Sequence, residues 1–338
     1  MSRVGIYGYA VVTDSALYVG DRKNVWNEDG EKQYLTGISL KSTSQLSRNL
    51  GVAVKAAMEE SLLKPEPEQL GVIMGSSLGS SAKIADFHKV AIESGPDMVS
   101  PMEFPSTVAN APSSLVGIWF KLKGPCIALS NGDSSALDAI ALAYDEIKYN
   151  GYPYFMAGGA DQLTTGVEEG YAECYGADRQ LEGLHLEDGA GAALVSAIGP
   201  EDDRYKAEII GYVNLNFSKG GDIADRMLGA IRSLLHKHEV EPGDILAATT
   251  YRPYQAIQTE LEGLLEQTEL AISYWNRDYN SNPNRLAANG IMSLIHAMTV
   301  QGADGRAYPY RLLFETSGSG KLSAVLMKLN FVLKLKGE

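Results

Sequence analysis

Few residues of this 338-residue chain have the types and spacing to do chemistry. The run Ser130-Asn131-Gly132-Asp133-Ser134-Ser135 follows the apolar stretch Cys126–Leu129 and precedes a helical pattern over Ser134–Lys148, so it reads as a sharp strand-to-helix turn. A hydroxyl on such a turn can attack an acyl group. Ser134 and Ser135 lack the G-x-S-x-G spacing of that arrangement, and no histidine stands at a plausible C-terminal triad position. Asp133 suits a helix N-cap, a role worth about 1 kcal/mol.

The two cysteines, Cys126 and Cys174, are too few for a disulfide framework, and neither sits in a CxxC pair or beside a histidine cluster. No metal site and no cofactor are expected. Cys126 lies on a strand before the turn and Cys174 follows a tyrosine-rich loop, so both read as buried and inert. Of the five histidines, His236 and His238 close a helix, where a cation gains a few tenths of a kcal/mol. His296 lies mid-helix among apolar residues and reads as a satisfied core histidine, while His88 and His185 join no cluster.

The elements that must position these residues alternate between strand and helix. Val4–Thr13 reads as a strand, Leu46–Leu63 as a helix stopped by Pro65 and Pro67, and Leu70–Ser76 as a buried strand. Lys123–Ser130 follows as a turn and buried strand, then Tyr154–Asp161 as a buried strand closing on glycines and Gly189–Ala197 as a small-residue strand that can pack closely. After a polar break at Pro200–Arg204 the pattern restarts, with a strand from Lys206, a helix at Ala224–His236, a strand at Asp244–Thr250 and a helix at Gln255–Glu266. The alternation predicts an α/β fold whose second half echoes the first, divided into residues 1–199 and 200–338.

Composition limits the partners. Apolar residues make up 45% and charged residues 21%, which suits a globular chain with a large core. The formal net charge of −13 opposes binding to nucleic acid or to an anionic membrane surface. No stretch of 18 uncharged apolar residues appears, and the start MSRVGIYGYAVV runs straight into a strand pattern, so a cytoplasmic location is expected.

Five segments, in order, resemble the β-ketoacyl synthases, including the chain-length-factor subunits of type II polyketide synthases. They are Val4–Thr13; Phe104-Pro105 with Asn110; Lys123–Ile140 with Gly151–Asp161; Gly183–Val195; and Leu286–Gly290. The resemblance implies a thiolase-like five-layered αβαβα core built from two similar halves, with dimerisation through the sheet edge of the first half. Decarboxylative condensation in that family needs a thiolate at a helix N-terminus and two histidines. Counted from Gly124-Pro125, the nucleophile position falls on Asp133. The first histidine position falls on Thr249, counted back from Glu260, and the second on Asn284, two residues before Leu286-Ala287-Ala288-Asn289-Gly290. The family's lysine position falls on Tyr279, and the C-terminal glycine-rich turn Thr316–Lys321 lacks its phenylalanines.

A preserved scaffold with vacated catalytic positions predicts a non-catalytic, chain-length-factor-like subunit. Such a subunit pairs with an intact ketosynthase in polyketide or fatty-acid elongation and meets the acyl carrier protein through that partner. The resemblance marks Phe104, Thr107, Val108 and Asn110 as interface and tunnel-wall candidates, and lets Asp133 mimic a charged acyl or carboxyl group instead of capping. Two alternatives stay open: an enzyme with altered chemistry, such as malonyl-thioester decarboxylation or acyl transfer, and an acyl-binding scaffold without an enzymatic partner.

Overall fold

Arg3–Thr13 forms the long strand β1, whose residues are buried from Val4 onward because the chain covers it on both faces. The computed structural model describes residues 2–330 except 165, 168, 171–185, 217–222, 251–260, 262, 268–269, 276–283, 303–304 and 318–320. Its further strands are β2 (Ala16–Val19), β3 (Arg22–Val25), β4 (Leu70–Gly75), β5 (Cys126–Leu129), β6 (Tyr154–Asp161) and β7 (Gly189–Ile198), followed by β8 (Ala207–Asn216), β9 (Ile245–Thr250), β10 (Ala271–Trp275), β11 (Tyr310–Ser317) and β12 (Lys321–Leu329). The helices used below are α1 (Glu28–Tyr34), α2 (Gln45–Glu60), α3 (Ser81–Ser94), α4 (Ala111–Trp119), α5 (Ser135–Lys148), α6 (Ile223–Lys237) and α7 (Asn289–Thr299). None of the described helices is long and apolar enough to cross a membrane.

The strands run in the order β10-β9-β11-β12-β8-β1-β7-β6-β4-β5, with the hairpin β2-β3 attached to β1. Numbered within each half, both halves show the same order. In the first, β4, β5 and β6 are parallel and β7 is antiparallel to β6; in the second, β9, β10 and β11 are parallel and β12 is antiparallel to β11. The halves join where β1 pairs with β8 over Val4–Ile6.

Helices α5 and α7 touch strands of both halves, α2 packs on β1 and β7, and α6 packs on β8, giving the layered α/β architecture. Apolar side chains fill each layer boundary. Ile140, Ile291 and Leu294 anchor the central one, Leu50, Val54 and Met156 the first outer one, and Leu228, Ile231 and Phe314 the second. Each large side chain fully buried contributes about 1.5–3 kcal/mol. Helix α2 starts where Ser44 Oγ accepts from the Ser47 N–H at 3.1 Å, and it stops at Glu60, five residues before Pro65.

The sequence reading is corrected at β5. The strand forms at the expected place, but it is an edge of the sheet and among the described residues pairs only with β4, so its residues alternate between exposed and half-buried. Cys126 is therefore exposed, not buried. Cys174, His185 and most of the expected helix Gln255–Glu266 lie outside the described residues.

Close approach of β6 to β7 needs glycine at 158: a Cβ there would lie 2.0 Å from the Gly191 carbonyl oxygen. Gly158→Ala is expected to lower stability by about 1–3 kcal/mol by forcing the two strands apart, measured by urea denaturation. A change within a few tenths of a kcal/mol would show that the ladder yields freely.

Candidate functional site

Because β4, β5 and β6 are parallel, the segments that follow them emerge at one edge of the sheet, where open α/β sheets place their ligands. Ser76–Leu78 follows β4, Asn131–Ser134 follows β5, and Asp161 ends β6. The short 3-10 helix Leu286–Ala288, which leads into α7, meets them from the other half.

Asp161 joins these segments. It is 1% exposed, and its carboxylate accepts from Ser76 Oγ (2.6 Å) and from the N–H groups of Ser77 (3.0 Å), Leu78 (2.9 Å) and Ala287 (2.9 Å). Burial pushes its pKa up to about 6, against the pull of those donors.

Asp133 is buried at 4% exposure, and its Oδ1 accepts from Ser77 Oγ at 3.0 Å. Ser77 thus bridges two carboxylates, donating its hydroxyl to Asp133 and its N–H to Asp161. The expected N-cap role is corrected: α5 begins at Ser135 with Ser134 at the N-cap position, so Asp133 stands one residue outside the helix. Gly132, at φ +75°, and the Ser135 N–H to Gly132 carbonyl bond of 3.0 Å make the tight turn that shifts the helix start. Ser135 Oγ donates to the Gly132 carbonyl and accepts from the Asn131 N–H at 3.0 Å, so it braces the turn rather than presenting a nucleophile. Helix and strand end press together here, since a Cβ on Gly75 would fall 2.4 Å from Ser135 Cβ.

Asn284 is buried and committed to its own turn. Its Oδ1 accepts from the Leu286 N–H at 2.9 Å and from Asn289 Nδ2, its carbonyl accepts from the Glu187 N–H at 3.1 Å, and Arg285 beside it pairs with Glu187. Through Ala287, Asp161 and Ser77 this turn belongs to the same network as Asp133. Thr249 is fully buried near the end of β9, opposite Tyr274 of β10. An amide and a β-hydroxyl are not bases at neutral pH, so neither can supply the imidazole chemistry of condensation. Tyr279 and the glycine-rich turn at 318–320 lie outside the described residues.

One cluster escaped the sequence reading. Asp138, one turn into α5, is 4% exposed and ion-paired with Lys321 of β12; it also accepts from Ser323 Oγ (2.6 Å) and Asn131 Nδ2 (3.0 Å). Its partners lie far along the chain, Lys321 being 183 residues away, so no local pattern announces it.

Among the interface candidates, Phe104 opens a 3-10 turn and is 57% exposed, with its ring 6.1 Å from that of Phe87 on α3. Val108 is exposed, and its carbonyl accepts from Ser80 Oγ at 2.8 Å; Thr107 Oγ1 bonds back to the Phe104 carbonyl. Asn110 stands at the N-cap position of α4, with its Nδ2 donating to Ser114 Oγ at 3.2 Å. Among the described residues no group of three or more metal-ligating side chains occurs.

Residues 10–175 match the family model described as Beta-ketoacyl synthase, N-terminal domain. This stretch places the N-terminal part of the chain in the β-ketoacyl synthase family. Among curated relatives, the 3-oxoacyl-[acyl-carrier-protein] synthase 2 of Vibrio cholerae serotype O1 is 36% identical over 112 residues, which are 32% of this chain and 27% of that protein. The chain thus spans about a quarter of the length of the first curated relatives it matches. Solved structures align over far more of it. The ishigamide ketosynthase/chain length factor superposes with TM-score 0.74 at 16% identity, over 97% of this chain and 99% of that one. A type II polyketide synthase ketosynthase in complex with its acyl-carrier protein, AntDE:AntF, gives 0.75 at 17% identity with the same coverage. At such identities these ketosynthase structures establish the thiolase-like fold.

Proposed function

We propose that this ketosynthase-family chain is a non-catalytic, chain-length-factor-like subunit that pairs with an active ketosynthase and helps to bound its acyl tunnel. One observation supports the reading: Asp133, which the count from Gly124-Pro125 sets at the family's nucleophile position, is a buried carboxylate held by Ser77, and the same kind of count sets Thr249 and Asn284 at the histidine positions. An acyl-aspartyl anhydride would hydrolyse readily, and no imidazole would stabilise the enolate.

The surface supports a partner. Helix α3 has none of its fourteen residues buried, although it carries Ile84, Phe87, Val90 and Ile92. Beside it Met98, Met102, Phe104 and Val108 are exposed, and β5 leaves an open sheet edge. Exposed apolar side chains grouped on one helix and the segment packed against it, and an unpaired edge strand, are each features of interaction surfaces. In this reading residues 1–199 and 200–338 are the two halves, the acyl carrier protein docks on the partner, and the pair works in the cytoplasm.

The test is co-expression with an intact Cys-His-His ketosynthase from the same genome, followed by light scattering and a condensation assay on carrier-bound malonate. A 1:1 complex that elongates, with neither chain active alone, is the expected result. Asp133→Ala should leave that activity in place, whereas Phe104→Asp should weaken the complex by at least about thirtyfold. Condensation by this chain as a lone dimer would overturn the proposal.

A further inference from the structure

A cleft of about 260 Å³ opens where the start of β1, the end of α5 and the start of β8 meet, lined by Arg3, Tyr144, Lys148, Glu208, Ile210 and His238 among others. It is separate from the Asp133 network: Lys148 ends α5, whereas Asp133 precedes that helix. In a chain of formal net charge −13, this cleft gathers three basic side chains and one acidic one.

The acid is already used. Glu208 receives Arg3 in a two-pronged ion pair, with Arg3 Nε donating to one carboxylate oxygen at 2.9 Å and its Nη2 donating to the other at 2.5 Å. Lys148 is fixed without a carboxylate. Its ammonium donates to Tyr144 Oη and lies 4.5 Å from the centre of that ring, and Tyr144 in turn donates to the Ile210 carbonyl at 3.1 Å. Among the described residues no acidic side chain forms an ion pair with Lys148, because neighbouring Asp145 accepts from Tyr212 Oη. His238 packs on the bare backbone of β8, its Nε2 standing 2.6 Å from where a Cβ on Gly211 would lie. Burial, then the charges of Lys237 and Lys148, lower its pKa, so its ring is held neutral beside a fixed cation. The sequence reading of His238 as a helix-capping cation is corrected by that environment.

We propose that this cleft is a binding site for a phosphate group, with Lys148 as the fixed cation and His238 as a second donor that charges when the anion enters. An ammonium held by a phenol and an aromatic face loses little freedom on binding, and a phosphate dianion supplies the countercharge that the cleft lacks. Glu208 stays paired with Arg3, so it leaves the charge of Lys148 uncompensated.

The test follows the His238 ring by NMR across a pH titration of the full chain, in inorganic phosphate and in chloride at matched ionic strength. The expected result is a His238 pKa higher by about one unit in phosphate than in chloride, and no such difference in Lys148→Met, which keeps the stem over Tyr144. Circular dichroism confirms the fold of the variant, and His238→Gln, read by calorimetric titration with phosphate, should bind several-fold more weakly than the parent. Equal His238 pKa values in the two salts, or a phosphate effect that survives Lys148→Met, would overturn the assignment.

Discussion

Replacing Lys321 by methionine is expected to lower the unfolding free energy by about 3–5 kcal/mol, because it strands the Asp138 carboxylate in the interior. Asp138 and Lys321 are 4% and 7% exposed, and the pair links α5 to the last described strand of the second half. Ser323 Oγ and Asn131 Nδ2 point at the same carboxylate and stabilise it only partly once the ammonium is gone. The double variant Asp138→Leu/Lys321→Met removes both charges and should recover part of the loss, since a buried pair is often no better than apolar side chains of similar volume. Chemical denaturation followed by circular dichroism measures both. A single variant within 1 kcal/mol of the parent would mean that water reaches the carboxylate.

The second large effect belongs to Asp161. Asp161→Ala leaves the Ser76 hydroxyl and the N–H groups of Ser77, Leu78 and Ala287 without their acceptor, at a cost of about 1–3 kcal/mol for each group that stays buried and unpaired. A total loss above about 3 kcal/mol at pH 7 is expected. The loss also depends on pH. The folded carboxyl holds its proton up to about pH 6, whereas its ordinary value is 3.8, so the native state binds more protons between these values. The contribution of this group is therefore fully present below about pH 4 and falls as the pH rises through about 6. The deficit of Asp161→Ala should widen by up to about 3 kcal/mol as the pH is lowered from 7 towards 4. Denaturation curves of both proteins at matched pH give the difference directly. A deficit independent of pH would show that the carboxyl ionises in the folded state as it does in the unfolded chain.

Both effects act on the scaffold around the candidate site, which is where the proposed reading places the chain's use. Asp133, Ser77 and the turn at Asn284 stand in one hydrogen-bonded network, which in the proposed reading keeps the shape of a condensing site without its reactivity.

Much of this could be read from the sequence alone. Strand and helix positions follow from local hydrophobic period, so β4, β6, β7 and α5 fall within a residue or two of their expected ends. The strand-to-helix turn around Asp133 was legible too, because a short apolar run, a glycine and a helical pattern follow one another there. Tertiary structure decided the rest, because it depends on what lies across space from each residue. Cys-Ile-Ala-Leu spells a buried strand in any sheet interior, and only the strand order places β5 at an edge that exposes Cys126. The positive φ of Gly132 moved the helix start past Asp133 by one residue, a shift that apolar periodicity cannot register. His238 ends a helix, where local rules favour a cation, yet burial and the nearby Lys148 favour the neutral ring. Asp138 and Lys321 each look like surface charges to a local reading. Only the packing of one half on the other buries them together, and an ion pair between residues 183 positions apart has no local signature.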